Sequence, residues 1–190
     1  HRLLFFRQHR KRFEYNRLGL LCCVLGLPLR RERKYFCSQF VAELLEKYFI
    51  VRIAWVFGLN GKNFIKTMIE VGKNHSIVKV VDDQIGTPTY TVDLARLLVD
   101  MIETDKYGYY HATNEGGYIS WADFAEEIYK QAGMNTKVER VTTKEYGLSK
   151  AARPFNSRLD KSKLSENGFE RLPEWKDALH RYLIEIGYGK

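Results

Sequence analysis

The chain has 190 residues, 45% of them hydrophobic and 28% charged, so it can bury a core and does not belong with disordered or low-complexity proteins. Its net charge of +8 is uneven: residues 1–47 hold 11 Lys/Arg against 4 Asp/Glu, and residues 48–190 carry the remaining +1. A basic arm alone does not make a nucleic-acid or membrane surface, because phosphates must be met by a defined element, and no nucleic-acid partner is expected.

Along the chain, the start at His1 rather than Met reads as a fragment or a processed end. The run "LGLLCCVLGLPL" (18–29) is apolar for 12 residues, short of the roughly 20 that span a bilayer. Basic residues precede it, but no small-x-small cleavage site follows before "RRERK", so neither a membrane span nor a secretion signal is expected. Cys22, Cys23 and Cys37 form no CxxC pair and no cluster with histidines, which argues against a zinc site and for a reducing cytoplasm. The segment 38–49 is a candidate helix with Ser38 as N-cap; the residues before it read as irregular.

From residue 48, strands and helices alternate. "YFIVRIAWVFG" (48–58) predicts one buried strand, and "NFIKTMIEVGK" (63–73) a helix broken by Gly72. "SIVKVVDD" (76–83) reads as a strand. "TVDLARLLVDMIETD" (91–105) is an amphipathic helix with Thr91 as N-cap and an apolar face of Leu94, Leu97, Leu98, Met101 and Ile102. "GYYHAT" (108–113) is a brief strand. "SWADFAEEIYKQAG" (120–133) opens on Ser120 with Asp123 three residues on, a near capping box, and ends at Gly133. "KVERVTT" (137–143) is a strand, and the last helix starts near Pro173, with Trp175, Ala178, Leu179, Tyr182, Leu183 and Ile186 on one face. The pattern is α/β, with too few strands for a complete doubly wound sheet.

Two motifs bear on chemistry. No GxGxxG or GxxGxxG lies between a strand and a helix; "GLNG" (58–61) and "EGGY" (115–118) lack the spacing that seats a pyrophosphate on a helix N-terminus. "YGLSK" (146–150) presents Tyr146 four residues before Lys150, the acid/base pair of short-chain dehydrogenases, in which the ammonium lowers the phenol pKa.

The blocks "FIVRIAWVFGLNGKNFIKTM", "VVDDQIGTPTYTVDLA", "GYYHATNEGGYISWADFAEEI" and "ARPFNSRLD" resemble, in order and spacing, the C-terminal half of dTDP-4-dehydrorhamnose reductase, an extended short-chain dehydrogenase. The resemblance covers about residues 46–190. It implies an incomplete Rossmann-like fold holding the substrate-binding half, behind a basic N-terminal extension (1–47) of foreign origin. It also implies NADPH-dependent reduction of dTDP-4-dehydro-6-deoxy-L-mannose to dTDP-L-rhamnose.

The family's Tyr-xxx-Lys pair lies upstream of the strand that here reads "FIVRIAWVFG", so the order along the chain makes Tyr146 and Lys150 a chance match. At the upstream place stands Tyr35, followed four residues later by Gln39 instead of lysine. No catalytic residue is therefore assigned, and NADPH, the family's cofactor, is not expected to bind this chain alone. "KYFCSQFVAELL" (34–45) also resembles, over a dozen residues, the cysteine motif of permuted papain-like amidases, in which the cysteine begins a helix; an inert Cys37 is the alternative.

For the dTDP-sugar, the resemblance implies Arg153 at the diphosphate, whose guanidinium fork suits phosphate oxygens, and Trp55 facing the sugar. It also implies Asn63 and Gln84 near the nucleotide. A surface arginine, a core tryptophan, a plain N-cap and a loop brace are the respective alternatives, and the residues alone leave them open. Thr89 and Ser157 are lesser candidates; His111 reads as a core histidine, and the adjacent Asp82 and Asp83 point to opposite faces and suggest no metal. Half of a doubly wound fold exposes edges and apolar faces, so a marginally stable species that aggregates or forms a homo-oligomer is expected. The rival reading of function is a non-catalytic sugar-nucleotide-binding or regulatory module.

Overall fold

The computed structural model describes residues 21–25, 31–147 and 153–188, with side chains from residue 38 onward in those ranges. Strand β1 (Leu21–Leu25), helix α1 (Arg31–Leu44) and strand β2 (Tyr48–Arg52) form a parallel β-α-β unit, in which Leu21 to Leu25 pair in register with Tyr48 to Arg52. Strand β7 (Gly108–His111) adds on the other side of β2, also parallel, to complete the order β1-β2-β7. The division expected at residue 47 thus falls inside one supersecondary unit: the apolar run 18–29 contains a strand, and α1 is its crossover helix. Ser38 is not an N-cap, because α1 begins seven residues before it, and Cys37 lies in mid-helix instead of at the N-terminus that would stabilise a thiolate.

Phe49, Ile50 and Val51 on β2 are fully buried, as expected of a central parallel strand covered on both faces. Helix α3 (Thr91–Ile102) sets Leu94, Leu97 and Met101 against Phe49, Val51 and Tyr110. On α1, the backbone carbonyl of Ser38 accepts a hydrogen bond from the Tyr109 hydroxyl at 3.0 Å.

The run expected as one strand over 48–58 is broken: after β2 the chain turns at residues 53–55 and re-enters as β3 (Val56–Phe57), which pairs with β6 (Thr89–Tyr90). Helix α2 (Phe64–Asn74) continues through Gly72. A β-carbon there would lie 2.6 Å from Tyr129 Cε1, so the glycine serves helix packing and does not end the helix. Strands β4 (Ile77–Val81) and β9 (Lys137–Val141) pair in parallel, while β5 (Ile85–Gly86) and β8 (Ile119–Ser120) pair antiparallel.

Helix α4 (Trp121–Gln131) carries the full reciprocal capping box of Ser120 and Asp123. The short helix α5 (Thr143–Tyr146) has a second box, made by Thr142 and Glu145. Helix α6 (Ser162–Glu166) and helix α7 (Trp175–Glu185) complete the described chain. Helices α2, α4 and α7 enclose a core with Phe57, Ile65, Ile69, Phe124, Ile128, Leu179 and Tyr182 at its centre. Thr91 is the first residue of α3 and not its cap; Tyr90 holds the N-cap position without a side-chain bond.

Candidate functional site

The turn at 53–55 is imposed from a distance. Thr89, fully buried, donates its hydroxyl to the carbonyl of Ala54 at 2.6 Å and its backbone N–H to that of Trp55 at 3.1 Å. Trp55 is held at φ 47°, and its indole stacks on Trp121 with ring centroids 3.7 Å apart and planes 15° from parallel. Phe64 leans on Trp121 at 4.5 Å and on Phe124 at 5.7 Å. Thr87 Oγ1 donates to the Gly117 carbonyl, which ties the β5 side of this cluster to the β8 side.

The segment 153–158 is sewn onto β5. Ile85 N–H donates to the Phe155 carbonyl at 2.8 Å, and Ser157 N–H returns to the Ile85 carbonyl at 2.7 Å. Arg153 is exposed on that segment, and the guanidinium of Arg158 covers the Tyr118 ring at 5.4 Å. Three of the four expected ligand residues lie on or beside segments that meet β5: the Trp55 indole packs on Gly86, Gln84 immediately precedes Ile85, and Arg153 is two residues from Phe155, whose carbonyl accepts from Ile85 N–H.

Gln84 is buried and donates to Thr143 Oγ1 at 3.0 Å. Its neighbour Asp83 accepts from Thr143 Oγ1 at 2.6 Å and from Thr143 N–H at 2.9 Å. Burial pushes the Asp83 carboxyl up, but those two bonds outweigh it and hold the group below its usual range. Gln84 is thus a brace between β5 and α5. Asn63 caps α2: its Oδ1 accepts from Lys66 N–H at 3.0 Å, and its amide N–H groups go to the Gly58 carbonyl at 3.0 Å and the Tyr182 hydroxyl at 2.8 Å. With both donors engaged internally, Asn63 acts as a cap. His111 Nδ1 lies 2.9 Å from the Asp160 carbonyl. Tyr146 is the last residue of α5, and Lys150 lies outside the described residues.

The sequence reading passed over one polar centre. The carboxylate of Asp93 has no solvent exposure and accepts two Arg181 bonds of 2.9 Å and an Asn114 amide bond of 2.7 Å. Asn114 also accepts from Tyr90 N–H at 2.8 Å and donates to the Pro173 carbonyl at 2.9 Å. The Tyr90 hydroxyl is pushed up to about 12, first by burial and then by its bond to Glu185. A signal was present: Asp93, Leu97 and Met101 share one stripe of α3 at i, i+4 and i+8, which puts a carboxylate on the core side.

The N-termini of five of the described helices bear on binding of a dinucleotide. Those of α2, α4 and α5 are closed by Asn63, Ser120 and Thr142. Helix α3 follows Pro88-Thr89-Tyr90, with no glycine in the turn, and α7 follows the acidic Glu174. Gly58, the first glycine of "GLNG", is filled against its own fold, since a β-carbon there would lie 2.2 Å from Thr91 Oγ1. None of these five N-termini fits a pyrophosphate cradle.

A parallel β-α-β sheet joined to a helical lobe is the partial Rossmann-like fold of the extended short-chain dehydrogenases. The model of the RmlD substrate binding domain matches residues 29–187, and the chain belongs to that family. The match begins within the basic N-terminal part and takes in the whole of α1. A dTDP-4-dehydrorhamnose reductase of Bacillus anthracis str. Ames, solved in complex with NADP, superposes with a TM-score of 0.77 and 45% identity, covering 81% of this chain and 54% of that one. The dTDP-4-dehydrorhamnose reductase of Aggregatibacter actinomycetemcomitans is 40% identical over 154 residues, 75% of this chain and 52% of that protein. The spore coat polysaccharide biosynthesis protein SpsK of Bacillus subtilis (strain 168) is 40% identical over 136 residues, 72% of this chain and 47% of that protein. The chain spans about half the length of the curated relatives it matches.

Proposed function

We propose that this chain supplies the sugar-nucleotide-binding part of a dTDP-4-dehydrorhamnose reductase, the enzyme that reduces dTDP-4-dehydro-6-deoxy-L-mannose to dTDP-L-rhamnose with a hydride from NADPH. The observation that carries this reading is the family match across residues 29–187, which takes in Trp55, Gln84 and Arg153. In this reading Arg153 meets the diphosphate and Trp55 the sugar, while Gln84 and Asn63 shape the site from behind. Residues 48–190 hold the substrate half, and the described residues do not hold the NADPH. No described helix is long and apolar enough to cross a membrane; a cytoplasmic setting rests on the cysteine pattern. Self-association is part of the proposal, since Phe40 and Leu44, one turn apart on α1, are 59% and 77% exposed.

One observation favours the non-catalytic reading. Tyr35 and Gln39 lie one turn apart on the crossover helix α1, at the place where the resemblance calls for tyrosine and lysine. A neutral amide cannot lower a phenol pKa as an ammonium does. Isothermal titration with dTDP, dTDP-L-rhamnose and NADPH tests both readings. Binding of the two thymidine nucleotides without NADPH is the expected result, and failure of both to bind overturns the proposal.

A further inference from the structure

Trp55 is the one residue other than glycine with a left-handed backbone among the described residues. Such a conformation is strained for a bulky residue and persists only where the surroundings over-determine it. Here the surroundings are a sandwich. A β-carbon added to Gly86 would lie 2.8 Å from Trp55 Cε2, 2.9 Å from Nε1 and 3.0 Å from Cζ2. Near-equal distances to a ring-fusion atom and its two neighbours place Gly86 over the face of the indole, not beside its rim. No Trp121 atom is among those three nearest atoms, although Trp121 stacks closely on Trp55, so Trp121 covers the opposite face.

With Trp121 on one face and Gly86 over the Nε1–Cε2–Cζ2 side of the other, Trp55 offers a ligand ring little face to stack on. What remains is the rim, with an indole N–H that donates to no described residue. An indole N–H is a single directional donor, suited to a sugar hydroxyl or carbonyl oxygen and not to a flat base. The rim belongs to the β5–β8 ribbon, onto which Ile85 sews the segment bearing Arg153.

We infer that Gly86 and Trp121 are positioning residues that clamp Trp55 edge-on, so that its indole N–H hydrogen-bonds the hexose of the sugar nucleotide and its ring takes no part in stacking. The inference rests on the function proposed above. It commits the clamp to the sugar and leaves the thymidine diphosphate to other groups, so affinity for dTDP-L-rhamnose and for dTDP must respond differently.

The test titrates the purified full chain with both ligands, alongside Gly86→Ala, Trp55→Phe, Trp121→Phe and Trp121→Ala, and records the exciton couplet of the stacked indoles by circular dichroism. Gly86→Ala is expected to lose the couplet and about tenfold in affinity for dTDP-L-rhamnose, with dTDP affinity held within about twofold. Trp55→Phe keeps a ring in the clamp but lacks the donor, and should show the same sugar-specific loss. Trp121→Phe also removes the couplet but keeps a stacked ring, and should retain most of the affinity that Trp121→Ala loses. Should Gly86→Ala not fold, Trp55→Phe and the Trp121 pair decide. Wild-type affinity for dTDP-L-rhamnose in Trp55→Phe, or an equal loss for both ligands, overturns the clamp while leaving the proposed function standing. A wild-type chain that binds neither ligand overturns both.

Discussion

Two arginines gather carboxylates in this protein, and the same pairing has different consequences at each. Arg181 holds Asp93 through two bonds of 2.9 Å, and the Asp93 carboxylate is fully shut off from water. Arg140 makes contacts that are as short, to Asp82 at 2.9 Å, Asp123 at 2.8 Å and Glu126 at 2.7 Å, but all four side chains are 39–47% exposed. Geometry alone would rank Arg140 first, with three partners. Solvation reverses the order: water can replace Arg140 around its carboxylates, but without Arg181 the buried Asp93 keeps only the Asn114 amide and no counter-charge. The buried centre joins α3, α7 and the loop after β7, whereas the exposed one pins β9 to the start of α4.

The largest effect is expected from Arg181→Ala. It strands a buried carboxylate and should cost about 3–5 kcal/mol in denaturant unfolding, with the midpoint moving and the slope unchanged. A loss below about 1 kcal/mol would show that Asp93 finds water or another donor and would erase the contrast. Arg140→Ala should cost about 1 kcal/mol or less at low ionic strength. Most of that difference should vanish in about 1 M salt, where screening acts within roughly 3 Å, while the Arg181→Ala deficit persists.

The smallest effect is one of pH. Burial pushes the Asp123 carboxyl up, but the Ser120 backbone N–H and Arg140 outweigh it and hold the group below its ordinary value of 3.8. A group depressed in the folded state stabilises above its unfolded pKa and loses that contribution as pH falls through the folded one. The Asp123 contribution should therefore be intact above about pH 4 and be lost below it. Arg140→Ala should flatten that acid limb, and an unchanged limb would show that Ser120 alone sets the Asp123 titration.

The helices show how far local pattern reaches. The apolar stripes of α4 and α7 are the ones read from 3.6-residue spacing, and the Ser120–Asp123 box was visible as a pair of letters, because caps are made within three residues. Gly72 misled, since a helix-breaking propensity of about 1 kcal/mol is a weak signal beside the close approach of Tyr129. The aromatic turn misled for a different reason. "YFIVRIAWVFG" is a continuous apolar run, and only Thr89, 34 and 35 residues on from Trp55 and Ala54, takes the carbonyls whose capture bends it.

What the sequence by itself determined is therefore the local grammar of this protein: the longer helices from residue 63 on and the strands between them, their apolar faces, the box at Ser120, and the family read in four blocks of residues. The tertiary structure decided where polar groups ended up. It drew Asp93 from an apparently solvated helix into a buried pair with Arg181 and engaged the Asn63 amide in holding Tyr182 and Gly58. It also packed Trp55 between Trp121 and Gly86 and joined the strand in 18–29 to β2. The reason is physical: spacing along a chain encodes contacts between neighbours, whereas desolvation and distant hydrogen bonds depend on which surfaces the fold brings together.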